Sequence, residues 1–258
     1  MTDFTALKLE ATSPVARITL ARPERLNALS PTTLRELIRA AEVLGGVEGL
    51  KVVVIGGEGR AFSAGFDIDA ASAAPTADTI DLGRRMTVAI GAIPALTVAS
   101  IHGHCVGGAL VLASACDLRL AAESTRFSIP EIDFGIPFAW GGIPRLVREL
   151  GPAMTKELVL TCRSFTAAEA HSLGFLNRVV VDDELETEVE TLAESLSKKS
   201  GFLIRQTKQL VDATVEEAYS TGQSFRDAEI TMVAMADEES RTATMRYLKE
   251  RGRSADAS

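Results

Sequence analysis

The stretch LTVASIHGHCVGGALVLAS, Leu96 to Ser114, crosses from strand to helix through glycine. Leu96–Ile101 predicts a buried strand, and the apolar run that opens at Gly107 and continues to Ser114 predicts a helix. Between them lies His102-Gly103-His104-Cys105-Val106-Gly107-Gly108. Glycines at such a junction let the backbone approach a ligand and leave N–H groups outside any ladder. At Gly107-Gly108 those N–H groups and the positive end of the helix dipole point the same way.

The same alternation recurs on both sides. Lys51–Ile55 is a β-branched run ending in Gly56-Gly57-Glu58-Gly59, and a second glycine-bearing junction follows, Ala61-Phe62-Ser63-Ala64-Gly65-Phe66-Asp67. Thr79–Ala92 predicts a helix closed by Pro94, and Asp117–Ala121 a further strand. Toward the N-terminus, Ala6–Ala11 and Val15–Leu20 are β-like about Ser13-Pro14, and Ser30-Pro31 marks the start of a helix to about Leu44. Strands alternating with helices give an α/β fold with a largely parallel, buried sheet. The segment Asp69–Asp78 holds almost nothing large to bury, so a mobile lid is expected there. Beyond Gly151 the pattern is helical: Ala153–Leu160, Ala167–Leu173, Glu184–Lys198, Phe202–Ala213 and Glu216–Met235, with Val179–Val181 the one strand-like run. Thr166 with Glu169 three residues on reads as a capping box. The last residues, Arg253–Ser258, are expected to fray.

A chain of 258 residues with 46% hydrophobic and 24% charged residues is long and apolar enough for one large domain, and its net charge of −8 argues against a general nucleic-acid surface. That charge still allows an anionic ligand held by local N–H groups and a few arginines. Cys105, Cys116 and Cys162 show no metal-ligand spacing and read as reduced core thiols; no metal site is expected. No signal peptide or span of membrane length is evident, which points to a soluble, cytoplasmic protein. Neither G-x-G-x-x-G nor a Walker loop occurs, and the G-x-S-x-G elbow of many serine hydrolases is missing too.

A third feature is Phe127-Ser128-Ile129-Pro130-Glu131-Ile132-Asp133-Phe134-Gly135. Glu131 stands among Ile, Pro and Phe, where a solvated carboxylate is out of place. Burial raises a carboxyl's pKa and makes its anion a stronger base. The alternative is a helix-start glutamate, or one paired with Arg119, Arg126 or Arg145.

In this order the three segments resemble the crotonase superfamily, the enoyl-CoA hydratase/isomerase family. The resemblance extends to Ile18-Thr19-Leu20-Ala21-Arg22-Pro23 and Asn27-Ala28-Leu29, to Ala115-Cys116-Asp117-Leu118-Arg119, and to Ser164-Phe165-Thr166-Ala167. It continues through Ala170, Gly174-Phe175-Leu176-Asn177 and Val179-Val180. It implies a crotonase-like spiral of ββα units over residues 1–195 and a C-terminal helical layer, 196–258, that packs into trimers, often paired into hexamers. It also implies an acyl-CoA thioester substrate, with coenzyme A part of the substrate and no separate cofactor. The oxyanion hole falls to the backbone N–H groups of Phe66 and Gly108. The coenzyme A moiety is expected along Arg25, Leu26 and Ala28 and past Ala64, Phe66, Asp67 and Ile68. Arg25 would meet a phosphate; Asp67 is expected to be structural. Glu131 is the expected base.

The chain departs from the hydratase pattern at one position. Hydratases of the family carry a second glutamate three residues after the oxyanion glycine, where this chain has Val111. A double-bond isomerase working with Glu131 alone fits better, with a hydratase using another group, or a non-catalytic acyl-CoA binder, as alternatives. His104 and Asp133 are candidate substitutes for the missing carboxylate. Dienoyl isomerases and dehalogenases of the family place an Asp where this chain has Ala139, which argues against both. Trp140 reads as a pocket wall or as core.

Overall fold

The computed structural model describes residues 4–69 and 76–250. In chain order the strands and helices of the first half are β1 (Leu7–Glu10), β2 (Val15–Leu20), α1 (Pro31–Gly45), β3 (Val52–Gly57), α2 (Ala77–Gly91), β4 (Leu96–Ile101), β5 (His104–Val106) and α3 (Gly108–Ser114). The second half runs β6 (Leu118–Ala122), β7 (Arg126–Ser128), α4 (Gly142–Thr161), β8 (Phe165–Thr166), α5 (Ala167–Ser172), β9 (Arg178–Val180), α6 (Leu185–Ser197), α7 (Gly201–Ala218), α8 (Asp227–Ala236) and α9 (Glu238–Glu250).

Six strands form one sheet in the order β1-β2-β3-β4-β6-β9, parallel throughout except for the antiparallel β1–β2 pair. Val52 to Ile55 of β3 are all buried because both faces of the sheet are covered. Val53 and Ile55 join the core with Leu34 and Leu37 of α1 and Met86 of α2. Val52 and Val54 pack with Val98, Leu120 and the α6 residues Leu185 and Val189. A strand covered on both sides reads as a continuous apolar run rather than an alternating one.

A second, three-stranded sheet has the order β5-β7-β8. After β4 the chain turns at Gly103 into β5 and then α3; after β6 it turns into β7 and then α4. Each passage visits both sheets before its helix, which is the ββα unit of a crotonase-like spiral.

Several expectations are corrected. The helix expected at Thr79–Ala92 starts at Ala77, capped by Thr76 through its Oγ1; of the expected lid, residues 70–75 lie outside the described residues, as do the frayed-end residues 253–258. The helix expected at Ala153–Leu160 is the second half of α4, which kinks at Gly151 (φ 76°, ψ 165°) before Pro152. Gly142 and Pro144 hid its first half, because both are helix breakers away from a helix start. The single helix expected over Glu216–Met235 is broken after Ala218 and resumes at Asp227. The short strands β5, β7 and β8 and helix α9 were not read from the residue pattern. Thr166 does cap α5, its Oγ1 accepting from the Glu169 N–H at 3.1 Å, but the Glu169 carboxylate binds Arg163 instead of completing a box.

The C-terminal helices are bound to the core by polar contacts. Lys208 of α7, almost fully buried, donates to Asp117 Oδ2 at 2.8 Å and to the Ala95 carbonyl at 3.2 Å. Asp117 Oδ2 also accepts from Thr97 N–H and Oγ1. Helix α9 returns to the loop after Glu131: Thr244 Oγ1 donates to the Phe134 carbonyl, and Tyr247 packs edge-on to Phe134. Among the described residues, no helix is long and apolar enough to cross a membrane.

Candidate active site

The two glycine-bearing junctions meet. Ser63 bridges to Cys105, with the Ser63 N–H donating to the His104 carbonyl and the Val106 N–H to the Ser63 carbonyl. Leu29 bridges to Phe66 by accepting from the Asp67 N–H and donating to the Gly65 carbonyl. Those two bonds use the neighbours of Phe66, and in extended chain successive N–H groups face opposite ways. The Phe66 N–H is therefore turned away from Leu29, and it has no acceptor among the described residues.

Gly108 is the first residue of α3, so its N–H lacks an intrahelical acceptor; it too has none among the described residues. Gly65, at φ +82°, lies so close that a Cβ there would sit 3.3 Å from the Gly108 nitrogen and overlap the Val106 carbonyl oxygen. Two unpaired donors thus lie on touching segments, one of them at a helix N-terminus.

Glu131 completes the site. Gly107 has φ +51°, and a Cβ there would overlap Glu131 Oε1 and lie 3.0 Å from its carboxyl carbon. The carboxyl group fills the space that a side chain at position 107 would occupy. Its Oε2 is sealed from solvent and has no hydrogen-bond partner, although residue 131 as a whole is only partly buried. Burial pushes this carboxyl up to about 8, opposed only by a backbone N–H of its own. None of the three candidate arginines holds it: Arg119 pairs with Glu149 at 3.1 Å, Arg126 donates to the Ser124 and Thr125 carbonyls, and Arg145 Nε is buried and unpartnered.

Around this centre, Trp140 lies across the start of α3. A Cβ at Gly108 would sit 2.9 Å from its Cη2, and one at Gly83 of α2 would fall inside the indole. Phe66 meets Trp140 edge-on, with ring centroids 6.0 Å apart. Val111, one turn along α3, is buried. Both candidate substitutes for a second carboxylate, His104 and Asp133, are exposed. Ala139 precedes Trp140 and has no acid to offer.

The segment expected to carry coenzyme A is a tightly bonded loop. Asn27, buried at φ +55°, donates to the Glu58 and Ala61 carbonyls at 2.8 Å and accepts from the Arg22 N–H. Arg22 bonds the Ala28 carbonyl and Asp67 Oδ2, both within 3 Å, so Asp67 ties this loop to the Phe66 junction. The Ala64 N–H donates to the Leu26 carbonyl. Arg25 is exposed and pairs with Asp69 at 3.1 Å; Ile68 is half-buried beside it in sequence.

Sequence reasoning missed the roles of Gly107, Asn27 and Asp227. Asp227 Oδ2 accepts from the Gly141 N–H at 2.7 Å, and burial raises its pKa. In the sequence it falls inside the single helix expected over Glu216–Met235, so nothing marked it. Burial pushes all three thiols up, Cys116 to about 12, so none is a ready nucleophile.

Comparison with known proteins identifies the family. The family model described as enoyl-CoA hydratase/isomerase matches residues 10–254. A probable enoyl-CoA hydratase of Mycobacterium tuberculosis is 34% identical over 220 residues, covering 85% of this chain and 86% of that protein. A peroxisomal Delta(3,5)-Delta(2,4)-dienoyl-CoA isomerase of Arabidopsis thaliana is 30% identical, covering 94% and 93%. A crystal structure of an enoyl-CoA hydratase/isomerase from Xanthobacter autotrophicus Py2 superposes with a TM-score of 0.87 at 29% identity, covering 97% of this chain and 95% of that one. The chain belongs to the enoyl-CoA hydratase/isomerase family of the crotonase superfamily.

Proposed function

We propose that the chain isomerises 3-enoyl-CoA esters to the conjugated 2-enoyl-CoA esters, with Glu131 as the single acid and base. The observation that carries this reading is the buried Glu131 carboxyl set against Gly107 with its Oε2 unpartnered, near the free N–H of Gly108, the residue three before the apolar Val111. The thioester oxygen accepts from the Phe66 and Gly108 N–H groups. Glu131 removes a proton from C2, the electrons pass through the thioester onto that oxygen, and the double bond moves into conjugation as the same carboxyl returns the proton at C4. Each fixed donor contributes roughly 10²–10³ in rate, because it is already aimed where charge develops. Water addition needs a second group to hold and activate water, and valine does neither.

Coenzyme A belongs to the substrate, and no separate cofactor takes part. Its nucleotide passes along Arg25, Leu26, Ala28, Ala64 and Ile68. Arg25 exchanges its exposed Asp69 partner for a phosphate, a small change because exposed pairs contribute little. The helices beyond residue 196 leave Phe202, Leu203, Leu210, Val211 and Val233 more than half exposed, and we assign this surface to a homotrimer or hexamer.

The test is product analysis with a panel of 3-enoyl- and 2-enoyl-CoA esters. Conjugated product from the 3-enoyl esters, without 3-hydroxyacyl-CoA, is expected. The hydratase reading rests on the names of the relatives, and hydration of 2-enoyl-CoA at a comparable rate would establish it instead.

A further inference from the structure

The indole of Trp140 occupies an unusual position for so large a side chain. Its backbone stands at φ +63°, a left-handed conformation that a bulky residue enters only when its surroundings over-determine it. Those surroundings are on both sides of the ring. Gly83 of α2 and Gly108 of α3 each lack the Cβ that would collide with the indole, so the ring is a wedge between two helices. The backbone is held as well: Thr87 Oγ1 donates to the Trp140 carbonyl at 3.1 Å, and the next N–H, Gly141, donates to Asp227 at 2.7 Å.

We propose that Trp140 is the residue that limits acyl length, closing the pocket to all but short-chain CoA esters. The inference rests on the oxyanion assignment above. If the thioester oxygen sits on the Gly108 N–H, the acyl carbons leave from a point beside the indole, because the ring fills the space that a side chain on that same glycine would take. Phe66, the other donor residue, presses edge-on to the indole and closes the gap beside it. Swinging the ring aside would leave a void at Gly83 and break a packed layer, which close-packed interiors resist. A long chain therefore has to displace the wedge, whereas a chain of about four to six carbons does not.

The test is the dissociation constant for saturated acyl-CoA esters of four to twelve carbons, measured by calorimetry on the full-length protein, beside the Trp140→Ala and Trp140→Leu variants. Saturated esters report binding whether or not isomerisation occurs. The wild type should prefer the four- to six-carbon esters and bind the ten-carbon ester at least tenfold more weakly. Each extra methylene that finds apolar cover contributes about fourfold, so opening room for three or four carbons in Trp140→Ala should tighten the longer esters roughly 10²-fold. Trp140→Leu should fall between the two. A wild-type protein that binds the ten- or twelve-carbon ester as tightly as the four-carbon one overturns the proposal without any variant. So does a folded Trp140→Ala with an unchanged length profile. Failure of every ester to bind would instead refute the acyl-CoA assignment on which the inference rests.

Discussion

Replacing Glu131 with Gln removes the ionisable group and keeps the shape, so it separates the chemical role of the carboxyl from its packing. The carboxyl is raised from an ordinary value of 4.5 to about 8 by burial. From pH 4.5 to pH 7 the unfolded chain gives up this proton and the folded chain keeps it. Those 2.5 pH units, at roughly 1.36 kcal/mol each, amount to about 3 kcal/mol of stability lost by pH 7. The sign follows from the raised pKa: the contribution is fully present below 4.5 and is lost as pH rises through 8. Glu131→Gln should therefore unfold at the same denaturant concentration as the wild type at pH 4, and be up to about 3 kcal/mol more stable at pH 7. Its activity should go the other way. A positioned base contributes about 10²–10⁴ in rate, so isomerisation should fall by that factor while affinity for CoA esters is kept. In the wild type, kcat/KM should rise about tenfold between pH 7 and pH 9, because roughly one carboxyl in ten is ionised at pH 7 when its pKa is near 8. Denaturation at several pH values, with stopped assays on the same samples, measures both. Retained turnover in Glu131→Gln, or a rate profile with its midpoint near 4.5, would refute the reasoning.

Two further substitutions test how the C-terminal helices support the site. Lys208→Met removes the cation from the Asp117 carboxylate beneath α7 and leaves it only its two Thr97 bonds, and breaking such a buried pair is expected to destabilise by about 3 kcal/mol in urea unfolding, with the sheet itself intact by circular dichroism. Gly135→Ala places a Cβ that would overlap the Ser240 carbonyl and lie 2.7 Å from Thr244 Oγ1, at φ +81°. It should push α9 from the Glu131 loop, seen as faster proteolysis between residues 237 and 250 and a lower kcat.

Much of this site was legible because local chemistry announced it. The strand-to-helix glycines at 65 and 107–108 and an acid among apolar residues at 131 are features of neighbouring residues, and the two junctions meet at bonds close to those glycines. The β-branched run of β3 likewise reads directly as a strand covered on both faces. What stayed hidden was set by distant partners. Asp227 lies 86 residues from the Gly141 N–H it accepts from, and no local pattern predicts that pairing. Helix α9 has many charged residues and none buried, so periodicity had nothing to detect. Its place is fixed by Thr244 and Tyr247 against Phe134. The first half of α4 was concealed by Gly142 and Pro144, which the fold places in its opening turn, where proline is tolerated.

Residue 111 follows closely in the chain on the glycine that makes room for Glu131. Val111 lies in the first turn of α3, and its N–H reaches back to the carbonyl of Gly107 at 3.4 Å, the glycine whose missing side chain makes room for the Glu131 carboxyl. On the family resemblance, a second carboxyl at this position faces Glu131, whose Oε2 already lacks a partner. Two such groups cannot both ionise cheaply, and the pKa of one is driven further up. On the isomerase reading proposed above, one carboxyl moves a single proton between carbons of one substrate, while two-carboxylate hydration needs solvent or hydrogen bonds to keep both groups usable. Val111→Glu puts this to the test. Its kcat/KM profile should shift to a midpoint above 8, and its stability relative to wild type should fall as pH rises from 4 to 8. A profile unmoved by the second acid would mean that positions 111 and 131 do not face one another, and the single-base argument would lose its structural ground.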